Sequence, residues 1–206
     1  MDVRDGLDFR TADDVDDSFA EAVVHSKIHR VLGFRLKPFS LWHAANLDFV
    51  ESPFAGHQKP VDVASLYVGA RICQLSFPRV FSFGRLERAA KWWTLWRFKS
   101  IKKRKGKVVG SPLMAEVSKF GAYLRDFASR PEYMTGEDSA PVKTPWYLYE
   151  AAVLKHYNPE MTWAQCWDCP VGEAGWYNAA MHEANGIKIE LVTPEYRKAF
   201  KAAGYE

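Results

Sequence analysis

Three hydroxyl–proline pairs, Ser111-Pro112, Thr144-Pro145 and Thr193-Pro194, constrain this chain more than any other feature. A serine or threonine just before a helix accepts hydrogen bonds from the unpaired N–H groups of the first turn. Proline in the first helical position has no N–H to leave unsatisfied. Each pair therefore marks a helix start, and together they predict helices over Pro112–Ser129, Pro145–Tyr157 and Pro194–Ala203. A fourth start is the capping box Thr162-Trp-Ala-Gln165, and a fifth is Ser40, which opens a helix running to Glu51 before Ser52-Pro53. Within it Leu41, Ala44, Ala45, Leu47 and Phe49 form the expected inner face, with His43 and Asp48 on other faces.

Two further helices follow from periodicity. From Val61, apolar residues recur at Val63, Leu66, Ala70, Cys73 and Phe77; from Arg85, at Leu86, Ala89, Trp93 and Trp96. The spacing Ser18 to Glu21 suits a capping box that opens a short helix through His29. Strand-like alternation is weak outside Val80–Phe83 and Ile187–Val192. The fold expected is mainly α: a compact multi-helix domain with an acidic N-terminal arm and a basic loop. Residues 1–17 form the arm and 18–206 the helical domain. The polar segment Arg130–Lys143 is its best internal boundary.

Charge is unevenly placed along the chain. Residues 1–21 hold eight acids against two arginines, and residues 79–107 hold eleven Lys or Arg against the single acid Glu87. With 48% apolar residues the chain can bury a sizeable core, which excludes global disorder. No run reaches the roughly 18 apolar residues that span a bilayer. The acidic N-terminus does not read as a signal peptide. A soluble, intracellular protein is expected.

Residues with chemical potential are few. Cys166 and Cys169 fall at i, i+3 on the Thr162 helix. A redox pair wants an activated first cysteine at a helix N-terminus after a strand, and zinc wants four ligands. Here no apolar strand precedes the pair, and the third cysteine, Cys73, is 93 positions away on an apolar stripe. Buried packing is the reading favoured for all three. His25 and His29 share a helical spacing but lack the glutamate of a zinc-protease motif, which leaves a solvated face. His43, His57, His156 and His182 are isolated, and no nucleotide-binding or nucleophile motif occurs. The sequence thus points to no catalytic residue, no cofactor and no metal.

The most unusual stretch is Ala89–Lys107, where three tryptophans precede Arg97, Lys99, Lys102, Lys103, Arg104, Lys105 and Lys107. These seven cations are the candidate partner-binding residues. A cation cluster binds phosphate backbones through counterion release, and exposed aromatics stack on bases; an anionic membrane surface favours the same pattern. A solvated loop beside core tryptophans explains it equally, and the acidic arm is a possible partner within the chain.

Two stretches, Leu36–Phe54 and Val61–Phe77, carry a Leu-x-Pro-Phe-Ser-Leu-x-His segment (Leu36, Pro38, Phe39, Ser40, Leu41, His43), then Ser52-Pro53-Phe54, then Ile72-Cys73. The C-terminal stretch Met161–Glu195 adds a small-residue and aromatic helix before a Glu-Leu-Val-Thr step. This pattern resembles a group of bacteriophage proteins identified as tail assembly chaperones, over residues 34–77 and 160–195. The resemblance implies a non-enzymatic helical protein of the host cytoplasm. It would hold the tape-measure protein, or tail-tube subunits, in solution during assembly. The basic segment has no counterpart in that pattern. Two other roles stay open: a virion structural protein of the neck, connector or tail, and a nucleic-acid-binding protein acting through residues 97–107.

Overall fold

The structure, a computed structural model, describes residues 28–78, 85, 88, 89, 92, 112–127, 133–135, 144–186 and 189–191. Among them the chain is mostly helical, with two small two-stranded antiparallel sheets. None of the described helices is long and apolar enough to cross a membrane.

The described chain opens on a hairpin, β1 (Arg30–Val31) with β2 (Phe34–Arg35). Its two turn residues both have positive φ, Leu32 at 52° and Gly33 at 84°. That is the turn hand that suits twisted strands; glycine adopts it freely, whereas leucine pays in strain. The Glu116 carboxylate holds the turn by accepting the Leu32 N–H at 2.5 Å.

An extended strap, Leu36 to Leu41, then runs through the middle of the fold. Pro38 keeps it out of regular structure, so its backbone groups bond to whatever lies alongside. The Leu36 N–H donates to the His29 carbonyl, and the Lys37 N–H to the Cys73 carbonyl. The Lys37 carbonyl accepts the Tyr123 hydroxyl at 2.9 Å. On the other side, the Val171 N–H donates to Phe39 and the Leu41 N–H to Cys169. Three distant parts of the chain, at Cys73, Tyr123 and Cys169–Val171, are joined through six residues of strap.

Helix α1 (Leu41–Phe49) starts where Ser40 caps it, as expected, and ends at Phe49 instead of Glu51. Val50 is the C-cap, and Glu51 turns the chain with φ of 49°. The expected inner face needs two corrections. His43 is fully buried, because as the third helical residue it closes the capping box with Ser40. Phe49 is 72% exposed although Leu47 in the same turn is in the core. A short 3-10 turn (Pro53–Ala55) follows, capped by Ser52, and sets Phe54 edge-on to Phe120.

Helix α2 (Val63–Ile72) begins at Asp62, which forms a capping box with Ser65, and not at Val61. Leu66, Ala70 and Cys73 are buried as the stripe predicts, while Val63 and Phe77 at its ends are half-buried. Helix α3 is described over Pro112–Phe127 and contributes Phe120 and Tyr123, which lie at the centre of the core; Ser129 lies outside the described residues. The core joins these rings to Leu41, Leu47, Leu66 and Ile72. Strand β3 (Tyr133–Thr135), inside the segment read as a linker, pairs with β4 (Ile189–Leu191), which lies in the stretch read as strand-like.

Helix α4 (Trp146–Tyr157) starts one residue late. Pro145 itself is the N-cap and no side chain bonds the first turn, so the Thr144 hydroxyl does not play the part expected of it. Helix α5 (Trp163–Asp168) is capped by Thr162 and Gln165 as predicted, and α6 (Val171–Ala184) follows after Cys169-Pro170. Helix α1 packs on α4 and α5, and α4 packs on α6.

Residues 85, 88, 89 and 92 are helical and exposed. Ala89 therefore faces solvent instead of the core stripe expected of it. Leu86, Trp93 and Trp96 lie outside the described residues, as do the arm, His25, Ser18–Glu21 and the Thr193-Pro194 start. His29 does not continue a helix. Its ring packs edge-on to Tyr123 and Phe127, with Nε2 3.2 Å from the Asp126 carboxylate, which corrects the solvated face expected for it.

Candidate partner-binding face

The C-terminal end of α1 builds the most distinctive surface among the described residues. The αL turn at Glu51 and the Pro53 turn send the chain away from α1, and residues 57–62 return it to the start of α2. Between these arms lies a groove of about 410 Å³, lined by Phe49, Val50, Pro53, Pro60, Ala64 and Val68 with Glu51, Lys59 and Asp62 at polar points.

Two polar contacts hold the returning loop. His57 Nε2 lies 2.7 Å from Asp48 Oδ1, and Lys59 Nζ lies 2.5 Å from Glu51. Asp48 is the junction, because its second oxygen accepts the Tyr147 hydroxyl at 2.7 Å. One carboxylate thus ties the loop and the first turn of α4 to the end of α1. The Tyr147 hydroxyl, then His57, hold the Asp48 carboxyl below its usual range. Loss of solvent, then the neighbouring Asp48, push the Tyr147 phenol up to about 12.

Exposed apolar side chains neighbour the junction residues in sequence. Phe49 stands next to Asp48 in α1, and Trp146, Leu148 and Tyr149, each 40% exposed, flank Tyr147 in α4. Large exposed apolar side chains rimmed by charged residues mark a contact surface.

The cysteines are shielded. Burial pushes the Cys73 thiol up to about 12, and burial is also the main cause raising Cys166 and Cys169. All three cysteines are buried and free, as the packing reading expects, and raised thiols are neither good nucleophiles nor ready ligands. One detail differs: α5 ends at Asp168, so Cys169 sits in the extended residue after the helix. Among the described residues no group of three His, Cys, Asp or Glu side chains is placed to hold a metal.

The candidate residues Arg97, Lys99, Lys102, Lys103, Arg104, Lys105 and Lys107 lie outside the described residues. Sequence reasoning missed the Asp48–His57–Tyr147 junction, whose members stand 9 and 99 positions apart. It also placed Phe49 inward. The one available signal was the stop before Ser52-Pro53, which puts Phe49 in the final turn of the helix. Compared with protein-family models, curated proteins and solved structures, the chain matches none.

Proposed function

We propose that this protein is a non-enzymatic phage tail morphogenesis factor that binds a helical segment of the tape-measure protein, or tail-tube subunits, in the host cytoplasm. The observation that carries the reading is the exposed Phe49 beside the apolar groove and the aromatic start of α4. An amphipathic helix docks into such a surface through anchors at i, i+3/i+4 and i+7. The resemblance to tail assembly chaperones supports the choice of partner, since the residues that carry it build the strap and caps that present this face. Burial in such a complex makes binding chiefly apolar, hence weakly dependent on salt.

Co-expression with the tape-measure protein of the same genome tests this. Soluble tape measure with the wild type, and insoluble tape measure with Phe49→Asp, is the expected pair of results. Phe49 is exposed, so the variant should remain folded. Equal solubilisation by both proteins would refute the site. Recovery of the protein in mature particles would favour the virion reading.

The rival with a specific observation behind it is nucleic-acid binding. Arg85, Arg88 and Trp92 are each helical and exposed, and the basic run follows them in sequence. Counterion release predicts that such binding weakens by roughly tenfold or more between 50 and 200 mM salt. A steep loss of DNA affinity, abolished by neutralising Lys102, Lys103, Arg104, Lys105 and Lys107, together with no effect on tape-measure solubility, selects that reading.

A further inference from the structure

The β1–β2 hairpin carries two faces of opposite character. Exposure alternates along it with the two-residue period of extended backbone. His29, Val31, Phe34 and Leu36 turn toward the fold, while Ile28, Arg30, Arg35 and Lys37 are exposed. The register sets Arg30 directly opposite Arg35, and like charges in that position destabilise an antiparallel pair. Nearby carboxylates are engaged elsewhere. Glu116 accepts the Leu32 N–H and the Lys119 ammonium, and Asp126 lies against His29 on the inner side. Among the described residues no carboxylate pairs with Arg30 or Arg35. The Arg71 guanidinium, 5.3 Å from the centre of the Phe34 ring, adds further positive charge beside the hairpin.

A complementary segment is attached to the same strand. Residues 1–21 hold eight acids against two arginines, and four of the acids fall together at Asp13, Asp14, Asp16 and Asp17. Residues 18–27 join this run to Ile28. Ten residues of coil span about 17 Å on average and paired strands lie about 4.8 Å apart, so the run reaches the hairpin by doubling back once. So short a tether presents its cargo at an effective concentration of order millimolar, which lets individually weak surface ion pairs accumulate. Two guanidinium forks side by side also suit a run of neighbouring carboxylates better than a single anion.

We infer that the exposed face of the hairpin is the seat of the acidic run Asp13–Asp17 of the same chain, whose carboxylates bridge Arg30 and Arg35. The contact relieves the cross-strand repulsion and screens the face, so an acidic segment of another protein must displace the run to bind there. The basic stretch Arg97–Lys107 is the rival seat within the chain. Nothing in the inference depends on the groove at Phe49, and it survives if that reading fails.

Paramagnetic relaxation in the isotope-labelled full chain tests the contact. Thr11→Cys places a nitroxide just before the acidic run. The three native cysteines are buried with raised thiols and do not compete for the reagent. At about 50 mM salt the label should broaden the Arg30 and Arg35 amides about twofold more than in the same chain with Asp13, Asp14, Asp16 and Asp17 each changed to Asn, the scale of exposed ion pairs. Arg30→Gln with Arg35→Gln should lose the excess, as should about 0.5 M salt, where the Debye length is about 4 Å. Equal broadening in the aspartate and asparagine chains overturns the contact, since tethering alone then accounts for it. Excess broadening centred on residues 97–107 overturns the seat. Broadening of isotope-labelled chains by nitroxide-labelled chains mixed with them overturns the contact within one chain, because the run then sits on a second copy. The salt series involves no substitution at the hairpin, so it decides the question whatever the arginine exchange does to the fold.

Discussion

Protonating His43 should cost this fold a measurable share of its stability. The ring is 1% exposed. It is stacked on Phe39, with Trp42 edge-on. Its Nδ1 faces the Ser40 N–H at 3.0 Å, so that nitrogen accepts and the proton sits on Nε2, which donates to the Leu75 carbonyl at 2.7 Å. A second proton would have to go on Nδ1, against a donor and away from water. Burial is the chief cause that lowers the group from 6.5 to about 4. The Leu75 carbonyl, Asp168 and the Pro38 carbonyl pull it upward, and Lys37 pushes it down.

The sign follows from proton binding. Between pH 6.5 and about 4 the unfolded chain takes up a proton at His43 that the folded chain does not. Acid therefore favours unfolding in that window. The contribution is whole above pH 6.5, falls by about 1.4 kcal/mol for each pH unit below it, and is gone by about pH 4. The total is about 3 kcal/mol, a large fraction of a typical domain's stability. Urea unfolding at pH 7.5, 6.0, 5.0 and 4.5, on the wild type and on His43→Gln, reads it directly. The variant should be less stable at pH 7.5 and lose less on acidification, so the two curves converge. Parallel curves across the window would mean that His43 does not titrate as its burial requires.

Three other substitutions probe the caps and the close packing. Glu51→Gly relieves the φ of 49° but also removes the exposed Lys59 ion pair, so the melting midpoint should rise by no more than about 2 °C. Gly69→Ala should destabilise by about 1 kcal/mol despite alanine's better helix propensity. A Cβ there meets the Phe120 ring at 3.2 and 3.3 Å, and Phe120 is wedged against Phe54 and Tyr123. Thr162→Ala should cost about 1 kcal/mol in urea unfolding by opening the α5 capping box. No loss there would mean that the six residues of α5 are held by packing alone.

What could be read from the sequence was what is decided locally. Ser40 and Thr162 each satisfy N–H groups three residues away, so spacing is enough to find them. Thr144 has the same appearance and fails, because Pro145 takes an extended ψ of 133° and becomes the cap itself. His43 was misplaced because a periodicity argument ranks histidine as polar. At the third position of a capping box its ring turns back over the helix start and into the core. Strand β3 has only three residues in a polar segment and is defined by a partner more than fifty positions on, so no short window contains it. The Asp48 junction is likewise a product of α1 meeting α4.

This division bears on the resemblance as well. Leu36, Phe39, Ser40, Leu41, His43, Ser52, Ile72 and Cys73 are all buried in the strap, the caps or the core. Of the residues that carry the resemblance only Ser52 and Pro53 line the groove beside Phe49, and the rest report how the chain packs. Phe49, Trp146, Leu148 and Tyr149 are exposed and stand outside the matched residues. On the proposed function, partner choice rests with those four. Exchanging them for the residues of another chain with the same motif should therefore transfer the partner while leaving stability within about 0.5 kcal/mol, the scale of ordinary surface changes. Stability falling by several kcal/mol in that exchange would show that the aromatic face belongs to the core and has no partner to choose.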